Sequence, residues 1–336
     1  MLRRTFLALA ALSFIAAPAS AADTVNARVG IIPVLGVAPL FVASSEGFLK
    51  EAGLSTTVTT FESGPNMIQA VASGTLDIYV GGIAPLAVAR SKGVDIRVVA
   101  AVATGENVFV AGPKLAPYFN GKSAAEAFAA FHAATGKAAR LATQPAGSVP
   151  NTTLQYWLWE VAKAAKADVE VVPMGIDATQ QAVLAGAVDG AIVREPAVTI
   201  IMSRNPNVKL IANGNDLFPG QPGTVVAVTG AFADKNPAAV QGLVTALVKA
   251  ADVIAKTPDR AVPAVEAALG KGIVDKATFA KALASPATHF EIDPRKIIEP
   301  ARAMQAYQVK LGSLEKELPF DGLFVPAYYV EATKAK

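Results

Sequence analysis

The chain has 336 residues, 52% of them apolar and 17% charged, with no cysteine. Its formal net charge is +3, and it falls to +1 (28 Lys+Arg against 27 Asp+Glu) when Arg3 and Arg4 are removed with the N-terminal segment. That balance leaves no basic footprint for nucleic acid. The missing cysteines exclude both disulfides and a lipid-modified anchor.

Residues 1–21 read as an export signal. Arg3 and Arg4 form the basic region, 6–17 an apolar stretch too short to span a bilayer, and Pro18-Ala19-Ser20-Ala21 a small-x-small cleavage site. Cleavage after Ala21 leaves about 315 residues, enough for two domains with a large core. Arg3-Arg4-Thr5-Phe6-Leu7 also resembles a twin-arginine motif. No later segment is a continuous apolar run of membrane-spanning length. An exported chain without an anchor is retained only where an outer membrane encloses it, so the expected location is a periplasm.

Strand and helix patterns then alternate, the mark of an α/β fold with mostly parallel sheets. A strand at 28–32 leads through a Gly36 loop to a helix opening at Pro39. A strand at 56–61 precedes a helix from Pro65 to Gly74, with Met67, Ile68 and Val71 on one face. A strand at 77–80 precedes a helix from Pro85 to Gly93; Pro in the first turn and Gly past the last suit helix ends. The unit then recurs: strand 140–143, loop Gly147-Ser148, helix 152–166, strand 169–172, helix 177–185 with Asp177 and Gln180 placed as a capping box, strand 191–193, and a helix opening at Pro196. Gly74-Thr75-Leu76-Asp77 and Gly186-Ala187-Val188-Asp189 occupy matching places, which predicts two similar lobes.

Two segments read as crossing points between the lobes: 104–111, which is β-rich and holds Gly105, and the turn-rich 219–223 before a β-rich run at 224–229. The remainder is a helical extension. Val240, Leu243, Val244, Leu247, Ala251 and Ile254 follow Asn236-Pro237 at helical period, and Ile297, Ala301, Met304 and Leu311 follow Asp293-Pro294.

In sheets of this kind ligands sit beyond the C-terminal strand ends. The loops there are 35–37, 63–66, 82–84, 147–149 and 194–195. Helix N-termini aim unpaired N–H groups at one cleft and glycines permit close approach, which suits an oxyanion. The candidate binding residues are Leu35, Gly36, Val37, Asn66, Gly82, Ile83, Thr104, Ser148, Val149, Arg194 and Glu195. Ser148 and Asn66 read equally as ligand donors or as helix caps. Arg194 reads as a bidentate anion partner or as a surface arginine beside Glu195. Glu195 would repel an anion unless paired and could accept from a donor on the ligand, which would then carry an acidic end and an amino or amide end. Trp157 and Tyr79 are expected in the core.

Together Val29-Gly30-Ile31, Ala38-Pro39-Leu40, Glu46-Gly47-Phe48, Ala72 to Asp77, Gln144 to Ser148, Gly186 to Asp189 and Glu195-Pro196 resemble the nitrate/sulfonate/taurine solute-binding proteins and their thiamine-pyrimidine-binding relatives. The resemblance covers most of 28–230. It implies a type II-like, two-lobed periplasmic-binding-protein fold with a discontinuous first lobe (22–106 and 225–336) and a second lobe at 107–224. It also implies a small-molecule ligand, a permease and an ATPase of an ABC importer as partners, and a monomeric binder. Binding of a thiamine-pyrimidine precursor, or sensing without transport, remains open. Pyrimidine-synthase chemistry on this fold uses a cysteine-rich motif and a pyridoxal cofactor, which this chain is not equipped for. No nucleophile elbow, phosphate loop or metal-spaced cluster appears, so no catalytic residue, metal or cofactor is expected.

Overall fold

The computed structural model describes residues 24–334 except 271 and 273, so the expected export signal lies outside the described residues. In chain order the strands are β1 (Val25–Ile31), β2 (Leu54–Thr60), β3 (Ile78–Gly82), β4 (Ile96–Ala101), β5 (Ala103–Thr104), β6 (Val108–Ala111), β7 (Ala139–Thr143), β8 (Val169–Pro173), β9 (Gly190–Val193), β10 (Lys209–Ala212), β11 (Thr224–Thr229) and β12 (His289–Phe290). Two five-stranded sheets form, in the orders β2-β1-β3-β11-β4 and β10-β6-β9-β7-β8, while β12 pairs with β5. Helices flank both sheets, giving the α/β layering that the alternating pattern predicts.

In each sheet one strand is reversed, β11 in the first and β6 in the second. Each reversed strand is the first to enter its sheet after the chain crosses from the other. It therefore begins where its parallel neighbours end, and the crossing segments arrive at the edge where ligand loops belong. Strands β3, β6 and β9 are buried along their whole length, as central strands covered on both faces must be.

The repeat is visible bond by bond. Gly74 and Gly186 both close helices in the left-handed region, at φ 73° and 65°. Past each, an N–H reaches back into the helix, from Thr75 to the Ala70 carbonyl (3.0 Å) and from Ala187 to that of Ala182 (2.9 Å). Asp77 then accepts the Arg28 N–H and Asp189 the Arg140 N–H, each at 2.9 Å. Val29 pairs with Ile78 in the first sheet and Leu141 with Gly190 in the second, so equivalent residues stand 112 apart (141 − 29 and 190 − 78).

The crossing segments lie side by side. Val102 N–H donates to the Thr224 carbonyl and Gly105 N–H to that of Gln221, both at 3.0 Å. Of the stretch 104–111, only its start crosses; Val108–Ala111 is ladder within the second sheet, because Phe109 and Val110 are apolar on opposite faces and both are buried. The helix at the second repeat starts at Val149, ends at Tyr156 and gives way to a wider turn at Trp157–Val161, earlier than its apolar period suggests. The next helix opens at Ile176 from Gly175, without the expected capping box. Trp157 and Tyr79 are buried as expected.

Helix Pro237–Lys256 is long and apolar enough to cross a membrane, though Gln241, Thr245 and Lys249 interrupt it. Its Val240, Leu243, Val244 and Leu247 pack in one cluster with Val29, Leu40 and Leu54, so here it is a core helix of the first sheet. Beyond it, Ala287 joins the apolar cluster of Val108, Val193 and Val208, so the C-terminal extension touches the second sheet as well.

Candidate ligand-binding cleft

Strand alternation places the polar groups. Phe109, Leu141 and Ile192 pack with Leu154, Trp157 and Leu158 on one face of the second sheet, and Val108, Ala142 and Val193 lie on the other. One position further toward the cleft stand Asn107, Thr143 and Arg194, which the alternation returns to the first face beneath the helix Val149–Tyr156. All three are buried, Arg194 to 5% exposure.

Their chemistry is unfinished. Both terminal nitrogens of Arg194, Thr143 Oγ1, Asn107 Oδ1 and, on the covering helix, Thr153 Oγ1 are buried with no hydrogen-bond partner. Buried polar atoms normally find partners, and a buried charge without hydrogen bonds is costly. The nearest opposite charge is Glu106, whose Oε1 lies 3.9 Å from Arg194 Nη1, too far for a hydrogen bond. Burial pulls the Arg194 pKa down, with Glu106 and Tyr79 opposing. Arginine nonetheless stays charged. The Glu106 oxygens are already engaged by the Thr224 N–H (2.5 Å) and hydroxyl (3.0 Å). Tyr79 donates to the Gly82 carbonyl at 2.8 Å, and burial holds its phenol far above its ordinary pKa. The result is a dry, donor-rich chamber with an open guanidinium fork.

The first lobe contributes backbone. Gly36 lies so close to the crossing segments that a Cβ there would stand 2.4 Å from Glu106 Oε1 and 2.8 Å from Thr224 Oγ1. A Cβ on Gly82 would stand 2.8 Å from Val149 Cγ2 of the second lobe. Both glycines sit in regular elements, a short turn of helix at Leu35–Val37 and the end of β3. The lobes also touch through Leu35 N–H to the Glu195 carbonyl (2.8 Å) and Ile176 N–H to the Glu62 carbonyl (3.3 Å). A cavity of about 330 Å³ adjoins this edge, lined by residues including Pro33, Val34, Gln144, Arg194 and Leu269.

Leu35, Gly36, Val37, Gly82, Ile83, Ser148, Val149 and Arg194 thus meet where the two sheets face each other, all of them buried. Ser148 caps its helix by accepting the Asn151 N–H at 3.2 Å. Three residues stand differently. Asn66 is exposed, with its own N–H capped by Ser63 at 3.4 Å. Thr104 pairs with His289 beside a separate cavity of about 240 Å³. The Glu195 carboxylate accepts the Thr199 N–H (3.1 Å) and hydroxyl (3.0 Å), capping its own helix; burial raises its pKa, with Ser285 and Thr199 opposing. Glu106, Asn107 and Thr143 escaped the sequence reading. Their one signal is Glu106-Asn107 itself, a charged and an amide residue inside the otherwise apolar run 98–111. Among the described residues no group of three or more His, Cys, Asp or Glu could hold a metal ion.

Two α/β lobes, two adjacent crossing segments and a polar chamber between them define a periplasmic-binding-protein fold. The model of the NMT1-like family matches residues 20–268, and the chain belongs to that family. A curated relative, the nitrate import ATP-binding protein NrtC of Synechococcus elongatus, is 28% identical over 239 residues, which are 70% of this chain but only 36% of that protein. Among solved structures, the periplasmic nitrate-binding protein NrtA of Synechocystis PCC 6803 superposes with a TM-score of 0.78 at 16% identity, covering 94% of this chain and 89% of that one. The alkanesulfonate-binding protein SsuA of Xanthomonas axonopodis pv. citri, bound to MOPS, gives 0.71 at 19% identity over 91% and 100%. At these identities the structural likeness is one of fold.

Proposed function

We propose that this chain is the solute-binding component of an ABC importer. It captures a small anion of the sulfonate, nitrate or carboxylate class in the interlobe cleft and delivers it to a permease and its ATPase. The observation that carries this reading is the buried Arg194 guanidinium with both terminal nitrogens unpartnered. A planar fork held in a dry site matches an oxyanion bidentately. The nitrate- and sulfonate-binding proteins of the same fold support the ligand class.

The same reading takes the chain as an exported periplasmic monomer processed after Ala21. Its first lobe comprises 22–106 and 225–336 and its second 107–224, with binding rather than catalysis as the activity. The test is titration calorimetry on the purified mature chain with nitrate, short alkanesulfonates and short carboxylates. Binding should also raise Tm, in proportion to ln(1 + [L]/Kd). Arg194→Ala binding the same anion as tightly as the parent would overturn the reading.

A further inference from the structure

We infer that Asn107 is a specificity-determining residue, and that the solute carries an N–H donor, a protonated amine, on the same molecule as its oxyanion. The inference rests on the anion-binding reading of Arg194 and adds a second pole to it.

The first support is the orientation of one amide. Gln221 Nε2 donates to the Gly214 carbonyl (3.1 Å) and the Asn107 carbonyl (3.4 Å), which fixes Gln221 Oε1 as an acceptor. That oxygen receives both the backbone N–H of Asn107 (2.8 Å) and its Nδ2 (2.9 Å). The Asn107 amide is therefore locked with nitrogen toward Gln221 and oxygen away from it. Its Oδ1 is buried and unpartnered. Val108 pairs with Val193, so Asn107 stands opposite Arg194 one step beyond the ladder, on the same face of the sheet. An acceptor and a guanidinium thus sit as cross-strand neighbours, both waiting for partners.

The second support is the balance of charge. Arg194 and Glu106 are 3% and 1% exposed in their side chains, and together they are neutral. A bare oxyanion on Arg194 would leave one uncompensated negative charge in a dry chamber, which is costly. A solute that brings its own ammonium keeps the chamber neutral. It also gives Asn107 Oδ1 the donor that the protein does not supply.

The experiment compares matched probes by titration calorimetry: β-alanine against propionate, and 2-aminoethanesulfonate against ethanesulfonate, with nitrate as a donor-free anion. In the parent, the aminated member of at least one pair should bind on the order of tenfold tighter or more, since a site built around a hydrogen bond rejects the analogue that lacks it. Asn107→Ala should collapse that ratio, and Asn107→Asp, which keeps an acceptor, should preserve it. The ratio is read within one protein, so damage to the crossing segments affects both members alike. Should Asn107→Ala not fold, Asn107→Val retains the backbone bond to Gln221 and suits a strand start. Equal affinities within each pair, tighter binding of the amine-free members, or a ratio that survives Asn107→Ala would overturn the inference while leaving anion binding intact. Binding of no probe at all would overturn the anion reading and this inference with it.

Discussion

At the end of β3 the first lobe places Gly82; at the equivalent position, 112 residues later at the end of β9, the second lobe places Arg194. The same offset sets Gly36 against Ser148 and Ile83 against Glu195. The scaffolds match down to the aspartate that clasps the first strand of each repeat. The faces they turn to one another do not. The first lobe offers bare backbone that the other lobe packs against, and the second offers hydroxyls, an amide and a charge. The division has a physical logic. A guanidinium is worth most where water is excluded, and water is excluded only if the opposing surface fits closely. Glycine at the end of β3 supplies that fit, and a long side chain there would compete with the solute for the same space.

Breaking the fit should have the largest effect. In Gly82→Trp even the Cβ would meet Val149, and the indole would wedge the lobes apart. Affinity for the captured anion should fall on the order of a hundredfold or more, and small-angle scattering should show no contraction at saturating anion concentrations. Parent-like binding would place the cleft on the other edge of the sheets.

Arg194→Ala tests the opposite half of the comparison. Losing a buried, charge-assisted contact should cost about 1.5–3 kcal/mol of binding, roughly tenfold or more in Kd. It also strands Glu106 without its only nearby cation, so Tm should fall in the absence of any anion. Adding Glu106→Gln should recover much of that Tm and none of the affinity. A surface arginine would give neither signature.

The scaffold was far easier to read from sequence than the chamber. Helix punctuation by Pro and Gly, together with the recurrence of Gly-x-x-Asp, exposed two repeats because these features are local in sequence. Strands β4 and β10 were missed. Ile96–Ala101 is apolar at nearly every position and gives no period, and Lys209–Ala212 is a short edge strand. Arg194, Ser148 and the glycine loops were found because they follow strands directly. Glu106, Asn107 and Thr143 were not, because their meaning depends on which strands become neighbours. The antiparallel entry of β6 beside β9 is what sets Asn107 opposite Arg194, and no spacing in the sequence announces it. Glu195 was misjudged for the same kind of reason: a cleft-loop position does not reveal that its carboxylate serves its own helix.

Asp77 and Asp189 sharpen the comparison where the lobes agree. Each accepts the first strand's N–H, so replacing either by Ala should cost about 1–2 kcal/mol of stability, read by urea denaturation. Asp77 should cost more, because it also takes two bonds from the Arg28 side chain (2.9 and 2.6 Å). That side-chain hydrogen bonding holds the Asp77 pKa below the usual carboxylate range. The folded value is the lower one, so this stability is present above the ordinary aspartate pKa and is lost as pH falls through the folded value. Asp77→Asn should therefore flatten the acid limb of the stability profile; an unchanged limb would mean that other carboxylates set it.

The smallest effect is expected at Ser148, the counterpart of Gly36. Its Oγ accepts the Asn151 N–H, which fixes the oxygen as a helix cap but leaves the hydroxyl proton free to donate. The two roles separate in measurement. Loss of the cap in Ser148→Ala should lower stability by about 1 kcal/mol whether or not anion is present. Loss of a donated neutral hydrogen bond should weaken anion binding by about 0.5–1.5 kcal/mol, a factor of a few to about tenfold. Ser148→Gly divides them, because glycine caps a helix nearly as well as serine and donates nothing from a side chain. If the hydroxyl reaches the solute, Ser148→Gly should keep the stability and lose the affinity. If both variants bind like the parent, Ser148 is a cap alone, and recognition in the second lobe falls to Arg194, Asn107 and Thr143.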